Sequence, residues 1–350
     1  ETTNRISHIP KVLYHWRKGV LSTASDKSNK EYVDESSTKA LTDYMERNKI
    51  SGKVRDGLFH GSWRIERDIQ LVDEKVSIII PFKDEVNLLE KCIVSILDKT
   101  KYGNYEIVLV SNNSKKQETF DYIQKITADY DFIQAYEHNI PFNFSKINNW
   151  AIQKTSGDFL LFLNNDTEVI SRGWMTAMVE HIQREEVGAV GAKLLFPNDT
   201  IQHAGVILGI GGVAAHVHNH QPRSSLGYFG RASITQNLSA CTGACLMVRR
   251  AVFLVVDGFD EMGLSIAFND IDLCLKIREL GYLIVYTPYS QLVHHESVSR
   301  GYEDTPRKLE RFKKEIACFR EKWKDILEKG DPYYNPNLTL DRTDFSLSIK

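Results

Sequence analysis

Three polar clusters close three apolar runs, and each carries groups able to hold a charged ligand. Lys83-Asp84-Glu85 follows "VSIIIPF", Ser111-Asn112-Asn113-Ser114 follows "YEIVLV", and Asn164-Asn165-Asp166-Thr167 follows "DFLLFL". In an open α/β sheet ligands gather at the carboxyl ends of the strands, so three such clusters in succession describe an edge, not three unrelated turns. Alone, the third would be an Asn/Asp turn with one carboxylate. Asp270 and Asp272 open the helical stretch "NDIDLCLKIREL", where the backbone dipole favours a carboxylate. His294 and His295 end the apolar run "LIVYTPYSQLV". Adjacent residues of an extended chain face opposite ways, so one of the two histidines points inward.

Other groups invite chemistry and are set aside on spacing. His203, His216, His218 and His220 are crowded into "IQHAGVILGIGGVAAHVHNH", and a strand would put the last three on one face. No carboxylate or cysteine completes a metal set, so roles in shaping a loop and the acceptor side are expected instead. Gly209, Gly211 and Gly212 lack the strand and spacing of a dinucleotide fingerprint. Cys92, Cys241, Cys245, Cys274 and Cys318 are odd in number and scattered, which reads as buried free thiols of a reducing compartment.

The positioning elements follow from periodicity. From Val76 strands and helices alternate: "VSIIIP", a helix opened by Asp84 as its cap, "YEIVLVSNN", a helix over about 117–129, "FIQAYE", a helix over about 144–154, and "DFLLFLN". Uninterrupted apolar strands separated by helices predict a parallel sheet covered on both faces. The second half is less regular, with "TGACLMVRR", a helix over about 270–281, "LIVYTP" and "LVHHES", and predicts a smaller mixed sheet on the acceptor side. "PRKLERFKKEIACFREKW" is a charged amphipathic helix whose polar face is expected in solvent. Residues 1–73 form a linker or appended segment with a short strand "KVLYHW", a helix over about 36–49 and a hairpin in "GLFHGSWRIERDIQ"; 74–305 is the main domain and 306–350 a helix and tail.

The motifs, in this order and spacing, resemble the inverting family-two glycosyltransferases of GT-A fold, in the bacterial branch that builds O-antigen and capsular polysaccharides. They are "VSIIIPFKDEVNLLEKCIVSIL", "YEIVLVSNNS", "GDFLLFLNNDTEVI", "TGACLMVRR", "FNDIDLCLKIRELGY" and "LVHHESVSRG", and the likeness spans about 74–305. It implies a Rossmann-like, mostly parallel sheet and a sugar transfer from a nucleotide-diphosphate donor. Asn164-Asn165-Asp166 stands where the family carries its Asp-x-Asp motif. By that likeness Asp166 and His294 hold Mn2+ or Mg2+ on the donor diphosphate, with Asn164 in place of the first carboxylate. Imidazole is a commoner ligand for Mn2+ than for Mg2+. Asp270 is implied as the general base that takes the acceptor's proton in a single inverting displacement. Pro81, Lys83, Glu85, Ser111, Asn113, Lys146, Asn148, Asn164, Asn165 and Asp166 are implied to line the donor site. Gly243, Ala244, Asn269 and Asp272 are implied on the acceptor side. Many relatives have Asp where this chain has Ser111, a weaker hydrogen-bonding group, so UDP- and dTDP-sugars both stay open as donors.

Within the family such domains occur in tandem. "IPKVLYHWRKG" echoes "TPYSQLVHHESVSRG", with His15 in the place of His294, so the first segment reads as the end of an upstream transferase domain. Expected partners are a nucleotide sugar, a lipid-linked or oligosaccharide acceptor, and other transferase domains or polysaccharide assembly proteins. A net charge of -2 gives no field to recruit nucleic acid. No apolar run reaches the ~18 residues of a membrane span. A cytoplasmic place, at most peripheral to the inner membrane face, is expected. Two other readings stay open. One is a degenerate sugar- or nucleotide-binding module of a synthase complex, motivated by Asn164 and Ser111. The other is a nucleotidyltransferase, disfavoured because "FKDEVN" lacks the glycine-rich loop that holds a triphosphate.

Overall fold

The computed structural model describes residues 7–15, 17, 32–71, 73–296 and 305–348. In chain order they form α1 (Tyr32–Arg47), β1 (Gly52–Asp56), β2 (Trp63–Arg67), β3 (Val76–Phe82), α2 (Val86–Lys99), β4 (Tyr105–Ser111), α3 (Gln117–Asp129), β5 (Ile133–Glu137), α4 (Phe144–Ile152), β6 (Phe159–Leu163), β7 (Thr167–Val169) and α5 (Trp174–Ile182). Then come β8 (Val187–Leu195), β9 (Ile201–His203), β10 (Val206–Leu208), β11 (Ala214–His216), β12 (Gln236–Leu238), β13 (Cys245–Arg249), α6 (Arg250–Val255), α7 (Asn269–Glu279), β14 (Leu283–His294), α8 (Pro306–Lys322) and α9 (Lys324–Lys329).

One sheet organises the molecule, in the order β12-β14-β8-β13-β6-β3-β4-β5, with β7 paired to β14 and β9 to β8. Its mixed α/β character and mostly parallel direction are those expected. β3 runs parallel to β4 and β6, β4 to β5, and β14 to β8, whereas β13 lies antiparallel between β6 and β8. The second-half strands thus extend the first-half sheet. Alternation explains the unbroken apolar runs. Ile79, Leu160 and Phe162 enter the core on one face, with Ile147 of α4 and Leu273 of α7. Ile78, Ile80, Leu161 and Leu163 enter the core on the other, with Leu89 of α2 and Met178 of α5. A strand buried on both sides has no polar position to spare. Each such side chain contributes about 1.5–3 kcal/mol of burial.

Several local expectations change. Asp84 does not cap α2: Glu85 is the N-cap, in a left-handed conformation with no side-chain cap. Asp84 has left-handed φ as well, and its Oδ1 instead accepts from Lys115 N and Lys116 N, both at 2.9 Å, at the start of α3. The hairpin pairs β1 with β2, so its first strand precedes Gly57. "LIVYTP" and "LVHHES" are parts of one twelve-residue strand, β14, with an irregularity between Thr287 and Gln291. His216, His218 and His220 share no strand face: β11 ends at His216, and His218 and His220 both have φ 62°. No strand forms over Lys11–His15, and Val12, Leu13 and Tyr14 are exposed with no neighbouring strand among the described residues to pair with. Residues 18–31 and 297–304, which hold the serine-rich linker and most of "ESVSRG", lie outside those described. All five cysteines are free, and four are buried.

The polar face of α8 is not wholly in solvent. Glu315 is buried and accepts from Ser265 Oγ (2.7 Å), Ile266 N (2.9 Å) and Ala267 N (3.3 Å). Lys322 Nζ lies 3.1 Å from Asp260 Oδ2 and 2.8 Å from Asp272 Oδ1. The helix is a clamp on the loop that leads into α7. Among the described residues no helix is long and apolar enough to cross a membrane.

Candidate functional site

Sheet order alone brings the three polar clusters together. β6, β3 and β4 are neighbours and parallel, so Asn164-Asn165-Asp166, Lys83-Asp84-Glu85 and Ser111-Asn112-Asn113 leave the same edge side by side. β14 runs in the same direction, and past its irregularity it pairs with β7, setting His294 opposite Thr167. The long strand therefore carries a histidine across to the end of β6.

His294, and not His295, stands beside Asp166. His294 Nε2 is 3.2 Å from Asp166 Oδ1, and both side chains are nearly buried. His295 turns away, with its ring 3.4 Å from Glu168 Oε2 and its backbone N–H on Asp166 O (2.8 Å). Gln202 decides the His294 tautomer. Its Nε2 donates to Glu296 Oε2 (3.0 Å), so its Oε1 is what faces His294 Nδ1 at 2.7 Å. Nδ1 then carries the proton, and Nε2 presents its lone pair toward the carboxylate. Asp166 Oδ1 is buried and has no aligned hydrogen bond. A carboxylate oxygen and an imidazole lone pair at this distance repel unless a cation or proton lies between them.

These two donors fit a divalent metal. An oxygen and an imidazole nitrogen suit Mn2+. Among the described residues no group of three or more His, Cys, Asp or Glu could hold a metal, so Asp166 and His294 leave most coordination positions to a ligand's oxygens and water. Asn164 steadies the pair. Its backbone N–H donates to Ala244 O (3.1 Å), and its side-chain nitrogen lies 3.2 Å from His294 Nε2. Asn165 is buried with its amide nitrogen unpartnered.

Asp270 sits on the first turn of α7, and its two oxygens are pinned separately. Oδ2 accepts from Gly243 N (2.8 Å) and Oδ1 from Ile271 N (2.9 Å). A Cβ at Gly243 would lie 3.2 Å from Asp270 Cβ, tighter than most real contacts, so glycine permits the approach. Each carboxylate oxygen keeps lone-pair capacity for a further donor. The residue before α7, Phe268, has φ 61°, a bend that aims the helix start.

The remaining expected residues divide. Ser111 Oγ donates to Ser114 Oγ (2.9 Å), which also takes Asp84 N–H (3.0 Å). Asn113 has left-handed φ, and its amide donates to Ile140 O (2.6 Å), so it ties a neighbouring loop to the edge. Pro81 is half-buried, Lys83 is exposed, and Glu85 pairs with Lys116 at 3.5 Å. Lys146 is exposed on α4. Asn148 is fully buried; its amide donates to Phe144 O and its Oδ1 has no partner. Ala244 meets Asn164 through its carbonyl. Asn269 and Asp272 are not presented to an acceptor. Asn269 is buried on Ser145 Oγ (3.2 Å), and Asp272 is fully buried on Trp323 Nε1 (2.9 Å) and Lys322. Helical geometry turns Asp272 roughly 200° from Asp270, into the core.

Gln202, which sets the tautomer of His294, was missed by sequence reasoning. An uncharged residue inside the short strand β9 carries no chemical signal of its own.

Known proteins resemble this chain in sequence and in fold. The family model described as "Glycosyl transferase family 2" matches residues 77–255. The chain is 42% identical over 350 residues to the uncharacterized protein y4gI of Sinorhizobium fredii, covering 98% of this chain and 38% of that one. It is 39% identical over 348 residues to the O-antigen biosynthesis protein RfbC of Myxococcus xanthus, covering 99% of this chain and 26% of that one. The chain thus spans well under half the length of either relative. Among solved structures it resembles a mannosyltransferase from Pyrobaculum calidifontis in complex with GDP-Man and Mn2+, with a TM-score of 0.55 and 16% identity over 77% of this chain and 72% of that one.

Proposed function

We propose, from the premise that this chain belongs to glycosyl transferase family 2, that it transfers a sugar from a nucleoside-diphosphate donor to a hydroxyl of a growing bacterial surface polysaccharide, with inversion. The observation that carries this is the buried pair of Asp166 Oδ1 and the His294 Nε2 lone pair, 3.2 Å apart, with Asp270 held by Gly243 next to the Ala244 that meets Asn164. A divalent ion, Mn2+ before Mg2+, would be held by Asp166 and His294 and would offset charge on the leaving diphosphate. Manganese in the similarly folded mannosyltransferase, and the O-antigen role in the name of the Myxococcus relative, support this reading.

The protein's own groups act on the two sides of the bond. Asp270 accepts the proton of the attacking hydroxyl; the N–H groups of Gly243 and Ile271 fix its rotamer beforehand. Ser111, Lys83 and Lys146 line the donor approach, with the base moiety over β3 and β4. UDP- and dTDP-sugars are the expected donors and a lipid-linked saccharide the expected acceptor. A position at the inner membrane face, beside other transferase domains, belongs to the same reading.

Donor turnover with Mn2+ tests it. Asp270→Asn is expected to lower transfer about a hundredfold to ten-thousandfold, while nucleotide with Mn2+ still stabilises the variant against heat by a few kcal/mol at saturation. Equal activity in the variant removes Asp270 as the base. No stabilisation of the parent chain by any nucleotide removes the transferase reading.

One contact favours a second reading, a metal-free binding module. Asn164 Nδ2 already faces the His294 nitrogen that a metal would take. Nucleotide binding that survives chelation of divalent ions would select this alternative.

A further inference from the structure

We propose that His216 recognises the donor's sugar, donating a hydrogen bond from Nε2–H to a hydroxyl or ring oxygen of the group being transferred. The proposal rests on the transferase reading above and adds a contact to it.

The starting observation is a pair of histidine rings packed edge to face, 4.9 Å between centroids, with His203 Nδ1 and His216 Nδ1 2.8 Å apart. Two facing ring nitrogens at that distance need one proton between them, and the surroundings decide which ring supplies it. His203 is fully buried, and its Nε2 receives the backbone N–H of Thr242 at 3.5 Å. That nitrogen is an acceptor, so the His203 proton lies on Nδ1 and is donated to His216. His216 Nδ1 is then an acceptor, and its own proton is fixed on Nε2. Burial keeps both rings neutral by lowering their pKa values, so the tautomer is maintained.

His216 is partly exposed, and its Nε2 has no partner among the described residues. The ionisable groups facing the ring are the Asp270 and Glu296 carboxylates and the His294 imidazole. Through His203 and the neighbouring residues Gln202 and Thr242 it is tied to both sides of the proposed reaction. In a single displacement the anomeric carbon lies in line between the leaving phosphate oxygen, on the Asp166 and His294 side, and the hydroxyl at Asp270. A neutral N–H fixed between those sides meets sugar oxygens, which accept such a bond. The backing is continuous with the site: Thr242 precedes Gly243, whose N–H holds Asp270, and Gln202 precedes His203 while orienting His294. A histidine kept only for packing would have no need of a buried partner that fixes its outward proton.

Calorimetric titration in Mn2+ with UDP, GDP and dTDP, and with UDP-glucose, UDP-N-acetylglucosamine, GDP-mannose and dTDP-rhamnose, tests this. For whichever pair the parent chain binds, His216→Phe is expected to weaken the nucleotide sugar about threefold to tenfold, the size of one neutral hydrogen bond. The bare nucleotide should be unaffected. His216→Gln, which keeps an N–H near the Nε2 position, should recover most of the difference, and a thermal melt checks that both variants fold. Equal weakening of nucleotide and nucleotide sugar, or of neither, overturns the proposal and leaves the transferase reading standing. A parent chain that binds no nucleotide at all overturns both.

Discussion

The edge formed by β3, β4 and β6, the proposed donor edge, and the region around His294 and α7 are built by different means. On that edge β3, β4 and β6 end in polar clusters, and those after β3 and β4 are tied to the next loops: Asp84 accepts from the N–H groups of Lys115 and Lys116, Ser111 reaches Ser114, and Asn112 donates to the carbonyls of His138 (2.8 Å) and Ile140 (3.0 Å). Around His294 and α7 the ties run farther along the chain. Gln202 sets the tautomer of His294, and Asp272 ties α7 to Lys322 and Trp323 at the end of α8. The first edge follows from parallel strands; the second depends on a few buried polar contacts, and those are where it should fail.

The largest expected effect is at Asp272. It is fully buried, with Lys276 Nζ at 3.6 Å and Lys322 Nζ at 2.8 Å. Removing the carboxylate leaves two partly buried ammonium groups without their main counter-charge. Asp272→Ala should cost about 3 kcal/mol in urea unfolding, although the residue lies outside the site. A loss below about 0.5 kcal/mol, the range of ordinary surface substitutions, would show that α7 is positioned without this anchor.

That contrast also governs what the sequence could reveal. The runs 76–82, 105–111 and 159–163 announce buried parallel strands, and the polar groups after them must share an edge. The spacing of α3 is visible for the same reason: its apolar residues repeat locally. Nothing local tells that β14 crosses from β8 to β7 and so brings His294 to Asp166. Nothing tells that Asp84 caps the helix after the next strand rather than its own. The histidines of 203–220 were legible as residues able to do chemistry, but their pairing depends on β9 and β11 meeting in space. Glu315 and Lys322 looked like ordinary members of a solvated helix face because their partners lie about 50 residues away.

Gln202 offers the next test of the difference. Gln202→Leu keeps the volume near His294 but removes the acceptor that fixes Nδ1–H. If Asp166 and His294 hold Mn2+ as proposed, affinity for the ion should fall about tenfold to a hundredfold, read by Mn2+ electron paramagnetic resonance. Unchanged affinity would mean that His294 is oriented by packing alone.

Mild acid should act first away from both regions, at the histidine that packs on Phe345. His218 is buried, stacks on Phe345 at 4.6 Å, and has no partner on either ring nitrogen. Burial first, then Arg231 and Lys193, push its pKa from 6.5 down to about 4. The unfolded chain therefore binds a proton that the folded chain refuses between those values. Stability should fall as pH drops from about 6.5 to about 4, by up to about 1.4 kcal/mol per unit for this one group, and level off for it below. His218→Phe should flatten that part of the profile in urea unfolding, and an unchanged slope would exonerate the histidine.

The smallest effect belongs to the donor edge. Asp84 carries a modest burial penalty, but the N–H groups of Lys116 and Lys115 outweigh it and hold its carboxyl below the ordinary value. Because its folded pKa is depressed, its contribution is present above the unfolded pKa of about 3.8 and lost as pH falls through the folded value. That window lies below the one for His218. Asp84→Ala removes a helix cap and should cost about 1 kcal/mol, while Asp84→Asn, which can still accept from both N–H groups, should cost less. Asp84 has left-handed φ, a conformation Asn tolerates and Ala does not. Asp84→Gly therefore separates backbone strain from the lost cap: a variant as stable as Asp84→Asn would assign the loss in Ala to the backbone. A variant as weak as Asp84→Ala would assign it to the two hydrogen bonds, and the donor edge would then also depend on a polar contact between distant segments.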